Sequence, residues 1–262
     1  MIQSECFTEM KEVVIGCTKI CGATMSEAIA GLDNIIAERE PCYVCFCDAH
    51  LNIQAIRSAN VCDALGTAAY VFPDGISMTI GSRVLGEPLP QRLPGPVVML
   101  EFLRHGIAKK YKHFLVGGEI GVADKLKEQL TAALPGLVIV GTNCPPFRMI
   151  TESESVKFTR EVHRAKPDVI WVALGAPKQE LWMQRRYKEL GAPLMLGVGA
   201  AFDFHSGTRK WAPHWIRRVG MEWLFRMFTG GKRVFFRNLK FEIAFVYYII
   251  KQIIARKLEN AK

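Results

Sequence analysis

Val169-Ile-Trp-Val-Ala-Leu-Gly-Ala-Pro-Lys-Gln-Glu180 is the stretch on which the fold turns. Val169–Leu174 is apolar and rich in β-branched and aromatic residues, the composition of a strand buried on both faces. Gly175 ends it, and Pro177 suits the first turn of a helix, where its missing N–H is no loss. The spacing predicts a helix over Lys178–Leu190 and, after Gly191, a second strand over Leu194–Val198. A strand, a tight turn, a helix and a further strand make a βαβ unit, whose two strands run parallel.

The same alternation extends upstream. Strands are expected at Tyr43–Cys47, Ala68–Phe72, His113–Val116 and Leu137–Val140. Helices are expected at Ser26–Arg39, Leu51–Leu65, Val97–Lys110, Gly121–Ala133 and Glu152–Ala165. Ser26 and Thr151 read as N-caps, and Glu154 three residues after Thr151 completes a capping box. Gly81–Pro96, with Pro88, Pro90, Pro94 and Pro96, reads as one long loop. The pattern is that of an α/β fold with a largely parallel sheet flanked by helices, in which ligands bind outside the carboxyl ends of the strands.

Charge divides the chain. Of 34 basic and 25 acidic residues, 13 basic and only three acidic lie from Arg209 onward, leaving 21 and 22 in the first 208 residues. The whole net charge of +9 therefore resides in the tail, which implies an anionic partner. Residues 1–219 read as the core and 220–262 as a basic, amphipathic helical appendage. Its apolar run, Phe241–Ile250, is too short to span a bilayer, which needs ~20 apolar residues. Its basic flanks favour a helix lying in lipid headgroups, which associates with the membrane and completes the site, over packing on the body or on a second subunit. Residues 1–16 hold no basic start followed by an apolar run, so no secretion signal is expected. The eight cysteines, at 6, 17, 21, 42, 45, 47, 62 and 144, lack the second chelating pair of a zinc site and read as buried thiols.

Polar or glycine-rich loops follow the strands and converge on one sheet edge. Asp48 and His50 follow the first, and Asp74, between Pro73 and Gly75, follows the second. Gly117, Gly118 and Glu119 come next, then Lys178, Gln179 and Glu180, and finally Gly197–Asp203 with Gly199. Asp74 has the placement of a general base, although turns recruit Asp-Gly for backbone reasons alone. Gly117-Gly118 opening a helix could bring N–H groups to a phosphate, but neither a P-loop nor a full dinucleotide fingerprint is present. No Asp-x-Asp occurs, so a leaving diphosphate would need cationic side chains or helix N-termini rather than a metal clamp.

Taken together, Pro73-Asp-Gly75, Phe114-Leu-Val-Gly-Gly118, Pro145-Pro-Phe147, Pro167–Glu180, Gly197–Asp203 and Gly220-Met-Glu-Trp-Leu-Phe-Arg226 resemble the WecG/TagA/CpsF glycosyltransferase family (glycosyltransferase family 26) from about Val13 to Arg237. The resemblance implies a Rossmann-like core that transfers a sugar with inversion and without metal or other cofactor. The implied donor is UDP-linked N-acetylmannosamine, its uronic acid or glucose. The implied acceptor is a polyprenyl-diphosphate-linked saccharide at the cytoplasmic membrane face, in teichoic acid, common antigen or exopolysaccharide synthesis. Residue by residue, it implies Asp74 as base, Arg92 as a diphosphate or acceptor contact and Gln179 near the donor sugar. Arg226, Arg233 and Arg237 would close over the diphosphate. Many members carry Thr-x-Asn where this chain has Phe46 and Asp48, an amide exchanged for a carboxylate, which leaves the donor sugar open. The implied location is cytoplasmic and peripheral to the membrane; nucleic acid is not expected as a partner, and self-association stays open. The rival readings are a nucleotide-dependent sugar-modifying enzyme, which lacks its glycine fingerprint, and an inactive member acting as a membrane-surface binder.

Overall fold

The computed structural model describes residues 10–145, 151–218, 220–222, 224–225 and 231–260. An antiparallel hairpin of β1 (Lys11–Ile15) and β2 (Thr18–Gly22) leads into α1 (Met25–Glu38). There follow β3 (Cys42–Cys47), α2 (Ala49–Arg57), α3 (Ala59–Gly66), β4 (Tyr70–Pro73), α4 (Ile76–Val84) and α5 (Gly95–Lys109). The second half runs β5 (Lys112–Gly117), α6 (Val122–Ala133), β6 (Val138–Asn143), α7 (Glu152–Ala165), β7 (Val169–Ala173), α8 (Lys178–Leu190) and β8 (Leu194–Gly197). Short helices α9 (Ala201–His205) and α10 (His214–Arg218) precede a 30-residue helix, α11 (Gly231–Asn260).

The six strands β3 to β8 form one sheet in the order β4-β3-β8-β7-β5-β6, with every pairing parallel. This is the Rossmann-like α/β arrangement. Side chains alternate across each strand, so the sheet feeds two cores. Val44 and Phe46 of β3, with Trp171 and Leu196, pack beneath α1, α5, α6 and α9. Tyr43, Cys45 and Cys47, with Ile170 and Met195, pack beneath α2, α3, α7, α8 and α11. The same period separates Cys42 from Cys45, three positions apart, onto opposite faces, so this Cys-x-x-Cys cannot chelate one ion. Burial pushes the Cys42 thiol up to about 12, and all seven described cysteines are unbridged.

Several expectations are corrected. The cap of α1 is Thr24, not Ser26: its hydroxyl accepts from Glu27 N, and the Glu27 carboxylate takes the Thr24 N–H at 2.7 Å. The expected helix Leu51–Leu65 is two helices, broken where Ser58 adopts an extended backbone (φ −139°, ψ 112°). The expected loop Gly81–Pro96 begins inside α4. Gly81 is weak helix material in isolation, but a Cβ there would come within 3.1 Å of both Phe245 and Ile249, so this glycine makes the seat for α11. Among the described residues no helix is long and apolar enough to cross a membrane. Instead α11 packs along α2 and lays Phe245 and Ile249 on Gly81 of α4, and its Gln252 reaches the hairpin. Gln252 accepts from Gly16 N at 3.0 Å and donates to Val14 O at 2.8 Å.

Candidate active site

A cleft of about 750 Å³ opens at the carboxyl ends of β3, β4, β7 and β8. Parallel strands send all their following loops to this edge, and α2, α4, α5 and α8 begin here. The starts of α4 and α8 have no side-chain cap, so their N–H groups and dipoles favour negative charge nearby, whereas the first N–H of α5 is taken by Asp74.

Asp74 follows β4 directly. Its N–H is held by Cys47 O at 2.9 Å, and its Oδ1 accepts from Gly95 N, the first residue of α5, at 3.1 Å. The carboxylate is thus fixed by two elements remote in sequence. Asp48, at the end of neighbouring β3, caps α2 through Leu51 N at 2.9 Å. A Cβ on Gly75 would stand 3.3 Å from that of Asp48, so the glycine lets the two strand ends close together. Phe46 stacks obliquely on Phe72 (5.9 Å) and presses on Gly95, giving the cleft an apolar floor.

Arg92 ties the far side together. It donates to Asp74 O at 3.5 Å and to Arg217 O at 2.7 Å, and it lies 4.0 Å from Glu222. Trp211 stacks on Phe204 (5.5 Å), sits beneath the Arg217 guanidinium (3.9 Å) and donates to Glu222 at 3.3 Å. Arg209 and Lys210 add positive charge to the lining, and Asn238, Phe241 and Glu242 bring α11 in as a wall. Ser77 of α4 donates to Glu242 at 2.7 Å, and the His50 and Phe241 rings meet edge to face at 4.2 Å.

The Gln179–Glu180 pair closes the floor between β7 and β8. Gln179 is 4% exposed and Glu180 fully buried. Gln179 Nε2 donates to Gly197 O at 3.0 Å and to Glu180 Oε1 at 2.8 Å. Burial, with the Asp48 charge adding to it, pushes the Glu180 carboxyl up to about 7.

Of the residues singled out from sequence, Asp48, Asp74, Arg92, Gln179 and Gly199 line this one cleft. Lys178 is exposed outside its lining, and Glu180 lies beneath it. Gly117 and Gly118 stand apart for a packing reason: a Cβ on Gly117 would lie 2.4 Å from Ala173 O, and Gly118 N donates to that same oxygen at 2.9 Å. Arg226 and the side chains of Arg233 and Arg237 lie outside the described residues, as do Pro146 and Phe147. The sequence reading missed Phe46 as a floor residue, Gly95 as the Asp74 anchor, and the α11 wall. Only the first had a local signal, an aromatic two residues before the strand-end acid. Among the described residues no cluster of three or more His, Cys, Asp or Glu is placed to hold a metal ion.

Two comparisons bear on this arrangement. The model of the WecG/TagA/CpsF family of glycosyl transferases matches residues 13–259. The N-acetylglucosaminyldiphosphoundecaprenol N-acetyl-beta-D-mannosaminyltransferase of Staphylococcus aureus strain MRSA252 is 30% identical over 200 residues, 76% of this chain and 75% of that protein. Its namesake from strain NCTC 8325 / PS 47 is similar to the same extent.

Proposed function

This chain belongs to the WecG/TagA/CpsF glycosyltransferase family, and on that premise we propose that it moves a sugar from a UDP-sugar onto a polyprenyl-diphosphate-linked saccharide in cell-surface polymer synthesis. The similar staphylococcal proteins are named for transfer of N-acetyl-β-D-mannosamine to an N-acetylglucosaminyl-diphosphoundecaprenol. The same sugar is the first candidate donor here, with its uronic acid and glucose behind it.

The observation that carries the reading is the Asp74 carboxylate, anchored by the first N–H of α5 within a cleft bordered by the uncapped N-termini of α4 and α8. In the proposed reaction Asp74 takes the proton of the acceptor hydroxyl. The acceptor oxygen bonds to the anomeric carbon, and the bond from that carbon to the diphosphate oxygen breaks on the opposite face, inverting configuration. Helix N-termini, Arg92 and the tail arginines Arg226, Arg233 and Arg237 meet the negative charge that builds on the departing UDP, so the reading needs no metal ion. The acceptor is anchored in lipid, and the exposed side of α11 offers a matching surface: Ile243, Val246, Tyr247, Ile250 and Ile254 form an apolar stripe among Lys240, Lys251 and Lys257. This face is assigned to the anionic headgroup layer.

The test is UDP release from a panel of UDP-sugars, with and without a polyprenyl-diphosphate-N-acetylglucosamine acceptor. Acceptor-dependent release from one sugar supports the reading and names the donor. Well-folded enzyme that releases UDP from none of them refutes it.

A further inference from the structure

Gln179 offers the cleft one side of its amide only. Both of its N–H hydrogens are used, one by the Gly197 carbonyl at 3.0 Å and one by Glu180 Oε1 at 2.8 Å. The backbone carbonyl is an acceptor whatever the conditions, so the opposite amide orientation would set two oxygens against each other. The Gln179 carbonyl oxygen is left buried with no partner. Its neighbour is the cleft loop after β8, where a Cβ on Gly199 would lie 3.7 Å away. A buried acceptor without a donor is an energetic debt that a ligand can cancel.

We propose that Glu180 is a positioning residue that locks the Gln179 amide with its oxygen toward the cleft, so that the site selects a ligand group bearing a hydrogen, a hydroxyl or an amide N–H of the nucleotide sugar. The inference rests on the nucleotide-sugar reading above for the identity of the ligand, but the orientation of the amide stands on geometry alone. A ligand group that only accepts hydrogen bonds is rejected at this point, because it would face the Gln179 oxygen across a dry contact.

Glu180 itself has an unpartnered oxygen, Oε2, deep in the core. Replacing Glu180 by leucine removes that buried unsatisfied oxygen but also takes the acceptor from one Gln179 N–H, two opposing effects that leave no large loss of stability. A structural role and a positioning role therefore part company. The experiment measures the dissociation constant for UDP-N-acetylmannosamine by calorimetry, and the melting temperature, for wild type, Glu180→Leu and Glu180→Gln. The expected result is at least tenfold weaker binding by Glu180→Leu with no large fall in melting temperature. In Glu180→Gln the side-chain carbonyl still accepts from Gln179, and most of the affinity is expected to return. Wild-type affinity in Glu180→Leu, or equal losses in the two variants, overturns the proposal. The side-chain amide protons of Gln179 in the unliganded wild type give an independent answer by NMR, even where Glu180→Leu does not fold or the wild type ignores this donor. Both protons are expected to be protected from solvent exchange, and exchange of either at the rate of an exposed glutamine overturns it. Failure of wild-type binding alone counts against the donor assignment, not against the locked amide.

Discussion

In a Phe245→Ala variant, α11 is expected to leave the body about a hundred times more often than in wild type while the sheet keeps its full protection. Phe245 is 3% exposed, and its ring sits with Ile249 on the side-chain-free surface of Gly81. Truncating a buried Phe costs about 3–5 kcal/mol. The lower figure applies here, because the gap lies along a seam between a helix and the body that can partly settle. At about 1.4 kcal/mol per decade, 3 kcal/mol corresponds to roughly a hundredfold in the opening equilibrium. Each of the other polar or ring ties is weaker: two Gln252 bonds to the hairpin and the Ser77–Glu242 bond at about 1 kcal/mol each, the His50–Phe241 ring contact, and a half-buried Arg256–Glu87 pair worth about 1. Hydrogen exchange with mass spectrometry reads the result directly, since amide exchange in α11 should speed up by that factor while β3, β7 and β8 do not change. Because Asn238, Phe241 and Glu242 wall the cleft, KM for the donor should rise in parallel. Equal acceleration in helix and sheet would mean that α11 opens only with global unfolding. No acceleration would mean that Phe245 is not what seats it. Either result refutes the reasoning.

Four further outcomes can be checked. Asp74→Asn keeps the shape that accepts from Gly95 N–H but cannot take a proton, so kcat should fall by about 10²–10⁴ with donor affinity retained, read by UDP release; an active variant removes Asp74 from the chemistry. Ile250→Glu, on the exposed face of α11, should reduce co-sedimentation with anionic vesicles at unchanged melting temperature, and unaltered sedimentation counts against the lipid-facing assignment. His113 is buried, accepts from Trp171 Nε1 at 3.2 Å, and is lowered by burial from 6.5 to about 3. Its depressed value gives stability that is present above the unfolded value and lost as pH falls toward 3, about 2 kcal/mol at pH 5, so His113→Phe should flatten the acid limb of denaturant midpoint against pH. Glu180 carries the opposite sign: raised from 4.5 to about 7, it favours the fold below 4.5 and loses that contribution as pH rises through 7. The stability of Glu180→Leu relative to wild type should therefore rise from pH 5 to pH 8, by up to about 3 kcal/mol in denaturant titrations.

The parallel sheet was legible because its strands are buried on both faces and read as unbroken apolar runs. Helix α8 was placed to the residue by Pro177 before it and Gly191 after it. The elements that sequence reading lost are those whose local signal is weak or overridden. Lys11–Ile15 and Thr18–Gly22 are too short to announce themselves without the turn at Gly16, whose φ of 64° only the structure reveals. Helix α4 was hidden by Gly81, an unfavourable helix residue kept for what packs on it 164 positions later. The cleft followed the same rule. Asp74 and Gln179 are marked by the loops around them, whereas the role of Gly95 depends on a backbone N–H that any residue type but proline could supply. The difference between Gln179, which faces ligand space, and Glu180, which lies below it, depends on helical phase at a single turn and is invisible in a run of polar letters.

One helix has two audiences. Phe241 and Glu242 help to enclose the cleft, while Ile243 and Val246, within the next turn, look outward. A rigid element shared in this way makes the two faces thermodynamically reciprocal: if occupancy of the outer face steadies the wall and tightens donor binding by some factor, a bound donor must tighten attachment at the outer face by the same factor. Retention at a surface would then report how well the enzyme is supplied with substrate, and a starved enzyme would be released more readily than a working one.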